Sequence, residues 1–167
     1  PYFDLRGFAC SEAAADNQIR VNPTMDHEAI SHALADIGRE IDAAFIEADE
    51  AGGSWTIALA TEDRAVIAID QDDFGARYVL SADLGAPPVE AAAAVHARLL
   101  GYNLAWAGTG GVWMGVDPAD GTAVMFYGLP MSDLTAQRLH QALRDFALAM
   151  RAQQALLLSG AEPEAGD

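Results

Sequence analysis

The chain has 167 residues and carries 9 basic against 25 acidic side chains, a formal net charge of −16, and every basic residue is Arg. That excess argues against nucleic acid and anionic membrane surfaces, which bind through clustered cations that neutralise phosphates. A bilayer span needs about twenty apolar residues, and the longest uncharged runs, such as Leu99 to Val116, are broken by Gly, Asn and Thr, so no membrane insertion is expected.

Ala supplies 35 residues. Without them the larger apolar residues still make up about 30% of the chain, which places it among folded domains rather than disordered chains. The length suits one domain. A lone Cys10 rules out an intrachain disulfide, and no basic-then-apolar leader opens the sequence, so a reducing cytoplasm is the expected setting.

Residues 1–24 hold Tyr2, Phe3 and Phe8 and then a small, polar run without a sustained period, which reads as a loosely ordered arm. From Met25 the pattern changes. Ile30, Leu34, Ile37, Ile41 and Phe45 recur at steps of three or four and predict a first helix over roughly 26–49, with Thr24 or Asp26 as its cap and Gly52-Gly53 beyond its end. Three segments of β-type alternation follow, around Trp55 to Leu59, Ala65 to Asp70 and Arg77 to Leu84, joined by short polar turns that imply an antiparallel meander.

Pro87-Pro88 sets the start of a second helix, Val89 to about Trp106, whose apolar residues spread over more than one face. One sheet covers one face, so a second copy of the chain is expected on the other. After the Gly108-Thr109-Gly110-Gly111 link, Val112 to Val116 and Thr122 to Leu129 read as a hairpin around Asp117-Pro118-Ala119-Asp120-Gly121. Ser132 or Asp133 is the expected cap of a third helix, marked by Leu139, Leu143, Phe146 and Met150. The expected order is α-β-β-β-α-β-β-α, an α+β domain over 25–151, with 152–167 as helix end and disordered acidic tail.

Chemistry is sparse. His27 and His32 stand five apart, about 140° around a helix, and nothing nearby completes a metal set, so no metal is expected. The glycine link lacks the Lys of a phosphate loop and precedes a strand, not a helix. Asp117 to Gly121 is too short for an EF-hand, and no G-x-S-x-G elbow occurs. Met25, Ile30, Phe45, Met114, Met125 and Met131 are candidates for a surface that receives another chain, and a sheet edge in a small domain offers itself to an extended peptide. A small acidic enzyme or ligand-binding domain using the Gly108–Gly111 region is the competing reading.

The run Leu99 to Pro130, LLGYNLAWAGTGGVWMGVDPADGTAVMFYGLP, and the Ser132-Asp133-Leu134 lead-in to the last helix resemble the class I chaperones of bacterial type III secretion, the Tir chaperone (CesT) family. The resemblance covers about Met25 to Arg151. It implies a cytoplasmic homodimer without catalysis or cofactor, around which the N-terminal segment of an effector wraps in extended form. The effector is thereby kept soluble and brought to the secretion apparatus, with the secretion ATPase as a further implied partner. On this resemblance the dimer contact falls on Leu99, Leu100, Tyr102, Asn103, Leu104 and Trp106, with Trp113 in support. Effector binding falls on Ile30, Leu34, Ile37, Ile41, Ile57, Leu59 and Ile67.

Overall fold

A computed structural model describes residues 25–49, 52–60, 65–72, 74, 76–105 and 108–158. The N-terminal arm, Trp106 and the acidic tail from 159 onward lie outside the described residues.

Helix α1 spans His27–Gly38, and the Asp26 side chain caps it by accepting from the Ala29 amide at 2.8 Å. Its buried stripe, Ile30, Ala33, Leu34 and Ile37, follows the expected spacing. The helix stops eleven residues earlier than its pattern suggests. Asp42 turns into the left-handed region at φ 57°, and Ala43–Ala48 then forms strand β1. Ile41 and Phe45 continue a helical step by coincidence. The Gly52-Gly53 pair, at φ 77° and 102°, serves the turn from β1 into β2, Ser54–Leu59, where positive φ is free of Cβ strain. Gly38 also has a packing role: Ile46 of β1 puts its terminal methyl 2.7 Å from where a Cβ at Gly38 would stand.

Strands β3, Val66–Asp72, and β4, Arg77–Gly85, complete a four-stranded meander, one strand longer than the sequence suggests. Helix α2, Ala92–Leu104, crosses from β4 to β5, Val112–Val116, and β6, Ala123–Pro130, returns beside β4. The six antiparallel strands lie in the order β1-β2-β3-β4-β6-β5. The expected α+β class holds, with the order α-β-β-β-β-α-β-β-α.

A 3-10 turn at Met131–Asp133 leads into α3, Ala136–Leu158. Thr135, rather than Ser132 or Asp133, caps it by accepting from the Arg138 amide at 3.2 Å. Leu139, Leu143, Phe146 and Met150 are buried against the sheet. His140 reaches the Ala33 carbonyl at 2.9 Å and ties α3 to α1. Trp55 does the same for β2: its indole donates to Ser31 at 2.9 Å, and His27 stacks on it at 4.7 Å.

Helices α1 and α3 cover one face of the sheet. On the other, cross-strand partners share a side, so Glu47, Thr56, Ala68, Ser81, Phe126 and Trp113 form one row from edge to edge, with no helix of the described residues over it.

Candidate docking surfaces

The two ends of the sheet are built differently. At the β5 edge, Asn103 of α2 aligns its side-chain amide with the Met114 backbone. The amide nitrogen donates to the Met114 carbonyl and its oxygen accepts from the Met114 N–H, both at 2.8 Å. Next along the edge, the Thr109 hydroxyl donates to the Val112 carbonyl at 2.9 Å, and the Thr109 carbonyl accepts from the Val112 N–H at 3.3 Å. An unpaired strand edge is a template for another chain, and here side chains occupy the groups that such a chain would use.

Among the described residues the β1 edge has no such cover. The Asp49 N–H donates to the Ser54 carbonyl at 2.9 Å, so in the antiparallel alternation Glu47 faces Thr56 as a bonded pair and the backbone groups of Ile46 and Ala48 point away from β2. Beside them Phe45 is 53% exposed, facing Ala58 and, one strand further, Val66, which is 42% exposed. Glu47, Asp49 and Thr56 lie along the same end, with Ser54 donating to Asp70 at 2.5 Å.

The residues expected to bind an effector lie elsewhere. Ile30, Leu34, Ile37, Ile41, Ile57, Leu59 and Ile67 are each at most 5% exposed, because the α1 stripe and the β2 and β3 side chains pack into one another. They do come together, but as core. The apolar surface next to them is carried by Phe45 of β1 and Val66 of β3, on the other face of the sheet. Of the other apolar candidates, Met114 and Met125 are buried, and Met25 and Met131 are half-buried against the core.

The second helix divides in the same way. Leu99 is buried in the core, and Tyr102 and Asn103 are half-buried, the first packed on the core and the second holding the edge. Leu100 and Leu104, one helical turn apart, point outward at 70% and 84% exposure. Trp113 stands on the uncovered sheet face, stacked on Phe126 at 6.1 Å with Arg77 5.8 Å above its ring. Gly128 makes room beneath: a Cβ there would lie 3.3 Å from the indole.

The glycine link borders a cavity of about 190 Å³ between α2, α3, β5 and β6, lined by Tyr102, Thr109, Tyr127, Asp145 and Phe146 among others. Its carboxylate, Asp145, accepts both bonds of the Gln141 amide at 2.8 and 2.9 Å. Burial pushes the Tyr102 phenol above its ordinary value. These groups do not make an acid–base pair. Asp120, in the β5–β6 hairpin, is held below the usual carboxylate range by the backbone and hydroxyl of Thr122, a turn interaction. Among the described residues no group of three or more His, Cys, Asp or Glu side chains could hold a metal ion, and no helix is long and apolar enough to cross a membrane.

The model of the Tir chaperone protein (CesT) family matches residues 32–153. The chain belongs to this family. No curated protein matches it by sequence. Among solved structures, this CesT-family chain is similar to the ExsC–ExsE complex, with a TM-score of 0.60 and 18% identity over 85% of this chain and 100% of that one. It is also similar to the HopA1–SchA chaperone–effector complex, with a TM-score of 0.55 and 17% identity over 75% and 93% of the two chains. A third likeness is to the heterodimeric ExoU–SpcU complex from the type III secretion system of Pseudomonas aeruginosa, with a TM-score of 0.54 and 16% identity over 77% and 97%. At these identities the likeness establishes the fold.

Proposed function

We propose that this CesT-family protein is a class I type III secretion chaperone. It binds the N-terminal segment of a cognate effector in extended form, keeps it soluble and competent for export, and brings it to the secretion apparatus and its ATPase, with no reaction of its own. The observation that carries this reading is the β1 edge: backbone groups at Ile46 and Ala48 that no described residue pairs, beside the exposed Phe45 and Val66, in a sheet whose other edge is held by Asn103. An extended segment gains backbone pairing from the strand and side-chain burial from Phe45.

The working unit in this reading is a homodimer in the cytoplasm. Leu100 and Leu104 give α2 an outward apolar turn, and Trp113 with Phe126 gives the uncovered sheet face an aromatic one. Light scattering on the purified chain is expected to give about twice 17.6 kDa, and replacing Leu100 and Leu104 together by Asp to return it to the monomer mass. Co-expression with the N-terminal segment of an effector from the same genome is expected to protect that segment from protease without giving it a cooperative unfolding transition of its own. A monomeric wild-type chain would overturn the dimer, and a segment digested at the rate of the free peptide would overturn the chaperone role.

A further inference from the structure

The exposed end of β1 is chemically uneven. Phe45 and Glu47 lie on the uncovered face of the sheet, two residues apart, while Ile46 between them points to the opposite side, toward α1. Glu47 and Asp49 enter no ion pair with the described residues. Arg39, Arg77 and Arg144 are paired to Asp36, Asp72 and Glu40, away from this edge. Asp70 adds a third carboxylate two strands in, held by Ser54. The edge thus presents an open backbone, one large apolar side chain and an acidic rim.

Resting on the reading that β1 takes an extended cargo segment, we propose that this edge selects the chemistry of that segment: three consecutive residues in the order apolar, aliphatic, basic, or the same order reversed for the opposite strand direction. The first packs against Phe45. The second pairs its backbone with Ile46 and turns its side chain to the Ile46 side. The third sets an Arg or Lys beside Glu47, with Asp49 close behind. The side-chain period of two along a strand fixes this spacing, because neighbours in adjacent strands share a face. The charge complement is also directional: a carboxylate in the third position would stand beside Glu47, and like charges placed side by side across strands repel.

Ten-residue synthetic peptides of Thr and Ser test this, one with a central Arg-Ile-Leu-Ile-Arg, one with Glu-Ile-Leu-Ile-Glu, which present the order in either strand direction, titrated into the full chain at low salt and followed by amide shifts in nitrogen-15 NMR spectra. The Arg peptide is expected to bind about fivefold more tightly than the Glu peptide and to move the Ile46 and Ala48 amides. Glu47→Arg is expected to reverse the order, and Glu47→Gln to level it. If both peptides shift Ile46 and Ala48 with equal affinity, the selection is overturned and docking at the edge stands. If neither peptide moves these amides, docking at β1 falls, and the selection with it.

Discussion

The two edges of the sheet face the same hazard and meet it in opposite ways. At β5, an Asn from the crossover helix and a Thr from the glycine link take up the outward backbone groups of Val112 and Met114. At β1, the outward groups of Ile46 and Ala48 have no partner among the described residues, next to a half-exposed Phe and an acidic rim. A protein that only needed to avoid self-pairing would close both, and open edges are usually blunted by Pro, Lys or a bulge. β1 does carry a bulge between Ala43 and Phe45, at its start, which leaves the stretch from Phe45 onward regular. The difference teaches where partner pairing is tolerated: β1 is open at Ile46 and Ala48, while Asn103 and Thr109 occupy β5 at Met114 and Val112.

The largest effect is expected from breaking the closed edge. Asn103→Leu removes both bonds to Met114 and leaves a half-buried N–H and C=O without partners, which costs about 2–3 kcal/mol. Urea unfolding checks the loss of stability. The same variant gives the molecule a second open strand, so light scattering should show association beyond the dimer that rises with concentration and that the wild type does not show. If Asn103→Leu were as stable as the wild type and did not associate beyond the dimer, the closure of β5 would have no energetic content and the contrast between the edges would dissolve.

Ala48→Pro acts on the open edge and should separate pairing from stability. The Ala48 N–H points away from β2, so Pro removes no bond of the native ladder, and unfolding is expected to change by less than about 1 kcal/mol. A segment docked on β1 loses one backbone bond and meets the pyrrolidine ring, so binding of the Arg peptide should fall below detection. Unchanged binding would place the cargo on another surface.

How much of this was legible beforehand depends on where the information sits. The stripe Leu139, Leu143, Phe146 and Met150 and the turn at Asp117 to Gly121 are local patterns, and both give the elements found. Strand β1 was not legible, because Ile41 and Phe45 fall on helical spacing and the Ala-rich segment has no β-branched run. It becomes a strand only through pairing with β2 across the Gly52-Gly53 turn. Periodicity shows that Ile30, Ile57 and Ile67 are turned toward something, but burial by their own domain and burial by a partner have the same pattern. Val66, out of phase with the buried Ile67, is a signal that separates the two, whereas Phe45 keeps the spacing of the core stripe and its exposure shows only in the fold. The role of Asn103 was hidden for another reason: its partner Met114 lies eleven residues on, in a different element, at a backbone that carries no sequence mark.

The smallest effect concerns pH and the same lock. Tyr102 precedes Asn103 on α2 and lines the cavity against α3, where burial disfavours the phenolate and raises its pKa above the ordinary value; Tyr78 in the sheet shifts in the same direction for the same reason. In the unfolded chain both phenols ionise near their ordinary value of about 10. Below that pH both states are protonated and stability is unaffected. Above it the unfolded chain loses protons first, so stability falls as pH climbs from there through the raised folded values. Melting temperatures measured from pH 8 to 11 should therefore hold level and then drop. Tyr102→Phe should flatten part of that drop while leaving the contribution of Tyr78, and because Tyr102 sits beside the Asn103 clamp, the association seen with Asn103→Leu should emerge weakly in the wild type at the alkaline end. A drop that Tyr102→Phe does not soften would show that the helix carrying the clamp tolerates charge in that cavity.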